Sequence, residues 1–408
     1  MLLKTAWRNI GRNTRRSILS ALAIGAAFAL LMFSMSLQRG SYADMIQNTV
    51  RVQTGHLQIQ KQGHWPERGL NEKLDPAGLL DALEAMPGVL GAAPRVTTAA
   101  LVSRGDRTFG AAVFGVDPDR ERRVSSLASG VRAGRFLDPE DADGALLGHT
   151  LAKNLGAGIG DEIVFIGQGA DGSMAAGRLT VRGLFQMGMG EMDRAAMAAN
   201  LGAVQDAFSM GGDVTEIAVL LRSERERRPM ERRIRDDLDR RGRTDAAVLG
   251  WPTLMPGVEQ SIRIDWNSGL IMYAALVLVV GFGIANTFLM AYMERIHELG
   301  VLLALGMAPR QVTRMVYLES VLLIGLGLAL GLALGLPITL YYRDRGLDFG
   351  LEESLTARYG MSSVIHPQPD AVALGWAAGI VLVISLAVAV YPAVRAARVR
   401  PMEALRRS

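Results

Sequence analysis

The chain has 408 residues, half of them apolar and 21% charged, with a net charge of +4 that says little about partners. A mean hydropathy of +0.20 beside that charge content points to long apolar spans joined to an ordinary water-soluble domain. The absence of cysteine excludes disulfides, thiolate metal sites and thiol nucleophiles.

Residues 1–40 read as a cytoplasmic amphipathic start and a first span. Lys4, Arg8, Arg12, Arg15 and Arg16 precede the charge-free run Ser17–Gln38, which matches the roughly 20 residues needed to cross a bilayer. That run is too long for the apolar region of a signal peptide, and Ser36-Leu37-Gln38-Arg39 is a poor cleavage site, so an uncleaved anchor is expected.

Residues 41–265 have globular composition and are far too many for a loop. Arg51–Gln60, with Val52, Leu57 and Ile59, reads as an alternating, half-buried strand. Asp75–Met86 reads as a helix stopped by Pro87-Gly88, and Val89–Ser103 and Thr108–Val116 as strands. The order strand, helix, strand recurs at Val214–Leu221, Ser223–Arg241 and Asp245–Leu249, on either side of a β-rich lobe at about residues 125–210. An α+β domain follows from this pattern. Acids alternate with bases along the arginine-rich helix, with pairs expected at Glu231–Arg235, Asp236–Arg240 and Asp237–Arg241. A solvated face, not a nucleic-acid surface, is the reading. Met187, Met189 and Met192 carry the chemistry of soft-metal ligands, but they read as adaptable apolar filler.

Residues 266–408 hold three further spans. The second is 266–293; the third is placed at 315–342 around the charge-free run Ser320–Tyr342; the fourth is 371–394. Positive flanks stay in the cytoplasm. With the basic start before span one and Arg395, Arg398, Arg400, Arg406 and Arg407 after span four, both termini are expected inside. Residues 41–265 and the acid-leaning loop 343–370 then lie outside, and 294–312 lies inside. The architecture expected is a membrane α-helical protein with four transmembrane helices and an α+β periplasmic domain between the first two. Span three carries Gly327-x-x-x-Gly331-x-x-x-Gly335, a spacing that lets helix backbones approach closely. Glu319, at its inner edge, is expected to hydrogen-bond between helices rather than carry protons.

Lysine occurs only at Lys4, Lys61, Lys73 and Lys153, and none follows glycine. The Gly-Lys-Ser/Thr of a phosphate-gripping loop is therefore missing, and no enzyme activity is expected of this chain. The five histidines show no paired metal-ligand spacing. The informative segment is 294–312, which mixes charge with apolar residues, lies on the cytoplasmic side by this topology and joins two spans. An amphipathic helix there suits a groove on a cytoplasmic partner.

Its run Glu294-Arg295-x-x-Glu298-Leu299-Gly300-x-Leu302-x-Ala304-Leu305-Gly306 resembles the coupling-helix signature of the FtsX-like and MacB-like ABC transporter permeases. Within that family the similarity is closest to the lipoprotein-releasing, LolC/LolE-type permeases, on the stretch Val50-Arg51-x-x-Thr54-Gly55-His56-Leu57-Gln58-Ile59. The opening Ala6-Trp7-Arg8-Asn9-Ile10-x-Arg12-Asn13, the segment Gly144–Gly160 with Asp161-Glu162-Ile163, and the ending Tyr391-Pro392-Ala393-x-Arg395-Ala396-Ala397-Arg398-x-x-Pro401-x-Glu403-Ala404-Leu405-Arg406 also resemble it.

The resemblance implies a permease of a type VII, mechanotransmission exporter. Two cytoplasmic ABC ATPase subunits would supply ATP and Mg, with no cofactor on this chain itself. A second permease copy or paralogue completes the assembly, alongside a periplasmic adaptor or a lipoprotein chaperone. It makes Glu294, Arg295, Glu298, Leu299, Gly300, Leu302 and Gly306 the ATPase-coupling residues, and lipophilic cargo, lipoproteins first, the substrate. Phe28, Met32, Tyr273 and Leu276 are the candidate cargo cleft. Tripartite export of small molecules or peptides, or regulation of a periplasmic enzyme or sensor kinase without transport, are the competing expectations.

Overall fold

The computed structural model describes residues 7–8, 11–12, 14–188, 190–350 and 364–396. In chain order the main elements are α1 (Thr14–Thr49), β1 (Leu57–Lys61), α2 (Leu79–Glu84), β2 (Val89–Arg104) and β3 (Arg107–Val116). They continue with β4 (Val131–Gly134), β5 (Gly144–Gly148), β6 (Glu162–Gln168), β7 (Met174–Phe185), β8 (Ala196–Asn200) and β9 (Glu216–Leu221). The chain then forms α3 (Arg227–Arg240), β10 (Ala246–Gly250), α4 (Pro256–Met293), α5 (Ile296–Ala304), α6 (Pro309–Arg345) and α7 (Ala371–Ala396). Among the described residues two units result, one helical (up to 43, 262–349 and 364–396) and one α+β (44–261).

In the helical unit, α1, α4, α6 and α7 are each long and apolar enough to cross a membrane. The helices outrun the apolar stretches. α1 continues to Thr49 and α4 begins at Pro256, because charged residues end an apolar run without ending a helix. The two extensions are tied together by side chains. Gln38 Nε2 and the Tyr42 hydroxyl donate to Asp265 at 3.2 and 2.6 Å, and the Tyr273 hydroxyl donates to Gln38 Oε1 at 2.8 Å. Arg39 pairs with Asp370 ahead of α7. The acids Glu352 and Glu353 of the loop 343–370 lie outside the described residues.

In the α+β unit the strand pairings close on themselves. β2 pairs with β3, β3 with β8, β8 with β5, β5 with β7, β7 with β6, and β6 returns to β2. This six-stranded barrel is filled by alternate residues, among them Val102, Val113, Leu147, Phe165, Val181 and Met197, with Phe165 stacked on Phe208 at 5.6 Å. The 16-residue β2 is shared. Its first half joins the sheet β10-β1-β9-β2, whose inner face (Leu57, Ile59, Ile217, Val219) packs on α2 and α3 through Leu79, Leu83, Met230, Ile234 and Leu238.

Four expectations for this unit need correction. The lobe placed at residues 125–210 recruits β2 and β3 from upstream, because a barrel cannot close on the downstream strands alone. Arg51–Gln60 is not one strand. Val50–Thr54 is a π-helical turn ending α1, and the strand starts only after Gly55. There φ is +66°, and a Cβ would meet the backbone of Val219 at 2.8 Å. The helix placed at Asp75–Met86 shortens to Leu79–Glu84 behind Gly78, whose φ is +69°. On α3, Arg235 pairs with Glu231 and Arg241 with Asp237, but Arg240 turns to Asp237 and gives only a backbone contact to Asp236. Met192 is buried, accepting from Gln53 Nε2 at 3.6 Å; Met189 lies outside the described residues.

His56 is 3% exposed, and its Nδ1 accepts the Leu221 N–H at 3.1 Å, so the ring sits neutral in the fold. Burial, then the charges of Arg51 and Arg227, push its pKa down from 6.5 to about 4. The unfolded chain therefore binds more protons between those values, and stability falls as pH drops through that window. The loss is at most about 3 kcal/mol. Thermal unfolding of wild type and His56→Gln is expected to diverge below pH 6.5, with the variant less sensitive to acid; parallel curves contradict this.

Candidate functional site

The connector between α4 and α6 is built from caps outward. α4 ends at Met293, and Arg295 stands just before α5. At the far end Gly306 takes φ +91°, with Met307 N–H bonding Leu302 C=O at 3.1 Å and Gly306 N–H bonding Leu303 C=O at 3.1 Å. This is a glycine-dependent helix stop. Ala308 is extended and Pro309 opens α6, where a missing N–H costs nothing. The single coupling helix expected over 294–312 is thus two elements separated by a turn, since no other residue type holds the Gly306 conformation without strain.

α5 has two faces. Leu299 and Gly300 are buried, and Leu299 clusters with Tyr292, Val312, Met315 and Ala396, with Leu302, Leu303 and Met307 partly buried against them. The opposite side exposes Glu294, His297, Glu298, Val301 and Ala304, and Leu305 at the tip is 80% exposed.

A line of charge runs beneath. Arg12 donates to Glu298 Oε1 at 2.7 Å, and Arg295 Nε donates to Glu298 Oε2 at 3.2 Å. The Arg295 guanidinium grips both Glu319 oxygens at 2.7 and 2.6 Å. Arg295 is 8% and Glu319 5% exposed, so the outer pairs are surface contacts and the inner one is a desolvated ion pair. Exposed pairs contribute about 0.2–1 kcal/mol, whereas breaking a buried pair costs several times that. The chain of four therefore fixes α5 against α6 firmly and ties it to the Arg12 segment lightly.

Behind this, α1 and α6 run side by side in close contact. A Cβ on Gly327 would sit 2.7 Å from Ile24, one on Gly331 2.5 Å from the Gly25 carbonyl oxygen, and one on Gly335 2.8 Å from Ala29 Cβ. Successive small residues Ala21, Gly25 and Ala29 on α1 face the three glycines of α6 in parallel register. That fourth glycine, Gly25, was not among the residues singled out from the sequence. The small-residue spacing Ala21-x-x-x-Gly25-x-x-x-Ala29 was the available signal. Arg12 was likewise visible only as part of a basic flank.

Phe28 and Met32 fill the space beside Gly331 and Gly335 and are buried, as is Tyr273. Leu276 borders a void of about 10 Å³ with Leu31, Val280 and Ile284. Among the described residues these four side chains enclose no cargo-sized cleft. Residues 397–406 of the ending and Ala6, Asn9, Ile10 and Asn13 of the opening lie outside the described residues.

Comparison with known proteins matches residues 17–237 to the MacB-like periplasmic core domain and residues 270–401 to the FtsX-like permease C-terminal domain. The lipoprotein-releasing system transmembrane protein LolC of Xylella fastidiosa is 25% identical over 311 residues, 73% of this chain and 70% of that one. LolE of Haemophilus influenzae is 23% identical over 296 residues, 70% of this chain and 68% of that one. The macrolide export ATP-binding/permease protein MacB of Nitrobacter winogradskyi is 28% identical over 303 residues, 71% of this chain but 44% of that protein. The two family domains follow one another in the order in which the α+β unit and the later helices were described, and the chain belongs to the FtsX/MacB/LolC family of ABC transporter permeases.

Proposed function

We propose that this chain is the permease subunit of a type VII exporter that extracts lipoproteins from the inner membrane, driven by two copies of a separate cytoplasmic ATPase that bind ATP and Mg. The observation that carries the reading is α5. Its buried face is locked to α6 through Arg295–Glu319, while its other face presents Val301 and Leu305 with Glu294, His297 and Glu298 around them. An apolar tip ringed by charge suits a groove on a partner protein. Closure of the ATPase would push α5, and α4 and α1 would carry the displacement along their extensions into the α+β unit. Lipoproteins are preferred as cargo because the LolC and LolE relatives are lipoprotein-releasing proteins matched over about 70% of each chain.

In this reading both termini and the connector are cytoplasmic, and a second copy or a paralogue completes the permease. A lipoprotein chaperone or an adaptor receives the cargo outside. Glu298→Lys would set three cations together where Glu298 now joins Arg12 and Arg295. In vesicles holding the permease and its ATPase, this variant is expected to hydrolyse ATP while releasing a triacylated lipoprotein at least tenfold more slowly. Unchanged release would refute the role given to α5.

A further inference from the structure

The sheet β10-β1-β9-β2 has a second face that the coupling account does not use. Gln58 and Gln60 of β1 point the opposite way from Leu57 and Ile59, and Gln60 stands in register with Glu216 of β9. On β2, the Thr97 hydroxyl donates to Glu216 Oε1 at 3.3 Å. A polar face of this kind normally meets water, yet Gln58 is 4%, Gln60 2% and Glu216 7% exposed. The Gln60 amide donates to Gln58 Oε1 at 2.6 Å, and its own carboxamide oxygen has no partner. A buried acceptor left unpaired is costly. The charge of Arg95 favours the Glu216 carboxylate, but its guanidinium donates to Glu121 in a two-pronged pair at 2.7 and 3.0 Å. Burial outweighs the help from Arg95 and Thr97 and raises the Glu216 pKa above the usual carboxylate range.

These groups form one end of a cavity of about 1060 Å³. It shares Arg68, Thr97, Ala99 and Ala112 with a neighbouring cavity of about 780 Å³, so the two are parts of one groove. Ala99 and Ala112 are cross-strand neighbours on β2 and β3 and make its floor shallow enough for a backbone to lie on. Leu101 and Ile166, 53% and 43% exposed, form an apolar wall. The combined space exceeds the roughly 300–1,000 Å³ of a small-molecule site. Gln58 and Gln60 bond to each other through one donor and one acceptor, and the orphaned Gln60 oxygen calls for an N–H. Gln53 and Thr54, which end α1's terminal turn, and Leu254 and Met255, which directly precede α4, also border the groove.

We infer that this groove holds an extended polypeptide segment of the cargo, main chain against Ala99 and Ala112 and amide N–H toward Gln60 and Glu216. The identity of the occupant rests on the lipoprotein reading; the peptide chemistry does not. The test uses the full-length permease with its ATPase in nanodiscs and three fluorescent probes. One is a tripalmitoylated dipeptide, one carries the same acyl group on an unstructured peptide of about twelve residues, and one is that peptide without acyl chains. The long lipopeptide is expected to bind at least tenfold more tightly than the short one. Gln60→Leu, close in size, and Ala99→Trp, on an exposed position, should each remove that gain and leave the short probe unaffected. Equal affinity for the two lipopeptides, or a gain that survives both variants, overturns the inference. Binding of the bare peptide as tightly as the long lipopeptide, lost in both variants, upholds the groove and removes lipoproteins as its source.

Discussion

Arg295→Ala is expected to abolish release of cargo and to cost about 3–5 kcal/mol of stability, the range for removing one member of a buried ion pair. Glu319 would keep its position on α6 at 5% exposure while losing the Arg295 guanidinium that bonds both its oxygens. Stability alone does not distinguish a coupling role from a structural one, so the double variant Arg295→Met with Glu319→Leu is the informative one. Apolar side chains of similar volume replace a buried pair with little loss, and the doubly substituted chain should unfold within about 1 kcal/mol of wild type by that argument. Release should stay lost, because Glu298 then loses its contact with Arg295 and the Arg295–Glu319 tie between α5 and α6 is gone. Melting of the purified complex and lipoprotein release from vesicles read the two effects separately. A double variant that melts and transports like wild type would make the pair packing and nothing more.

Gly331→Leu should prevent the helical unit from assembling. At this position even a Cβ would approach the Gly25 carbonyl oxygen to 2.5 Å and Phe28 to 2.9 Å. The obstacle is backbone, which cannot swing aside as a side-chain tip can. Gly331→Ala should therefore already cost about 1–3 kcal/mol by overpacking, and leucine more, since α1 and α6 would have to separate along the whole small-residue seam. Gly325, on the same helix, has nothing within 4 Å of its added Cβ. Gly325→Ala should change the melting point little or raise it. Similar losses at both positions would show that glycine content, not contact, governs this helix.

Much of the scaffold was legible in the sequence because a bilayer imposes one simple rule on composition, and four uncharged runs obey it. Their ends were less so. Gln38 closes the first apolar run, but nothing at Arg39 or Tyr42 breaks a helix, and α1 continues to Thr49. The connector was visible as Glu294–Gly306, yet its working geometry depends on Arg12, 286 positions from Glu298, and no local pattern announces so distant a pair. The inward alternation of Leu57 and Ile59 was readable. That Gln58 and Gln60 would be buried on the other face was not, because polar residues at alternate positions ordinarily mark solvent. The barrel was missed for a related reason. Its closure joins β2 to β6 and β3 to β8, pairings set by the three-dimensional path and not by neighbouring sequence.

Coupling through α5 requires that it face the cytoplasm while the α+β unit faces outward. The native chain has no cysteine, so a single introduced thiol reports one place only. Leu305→Cys at the exposed tip of α5 and Ala99→Cys on the groove floor, each expressed with the partner ATPase, can be exposed to a membrane-impermeant maleimide in cells whose outer envelope alone has been opened. The account predicts labelling at position 99 and none at position 305 until the inner membrane is broken, with bound ATPase then shielding 305. Labelling of position 305 through the intact inner membrane would contradict it.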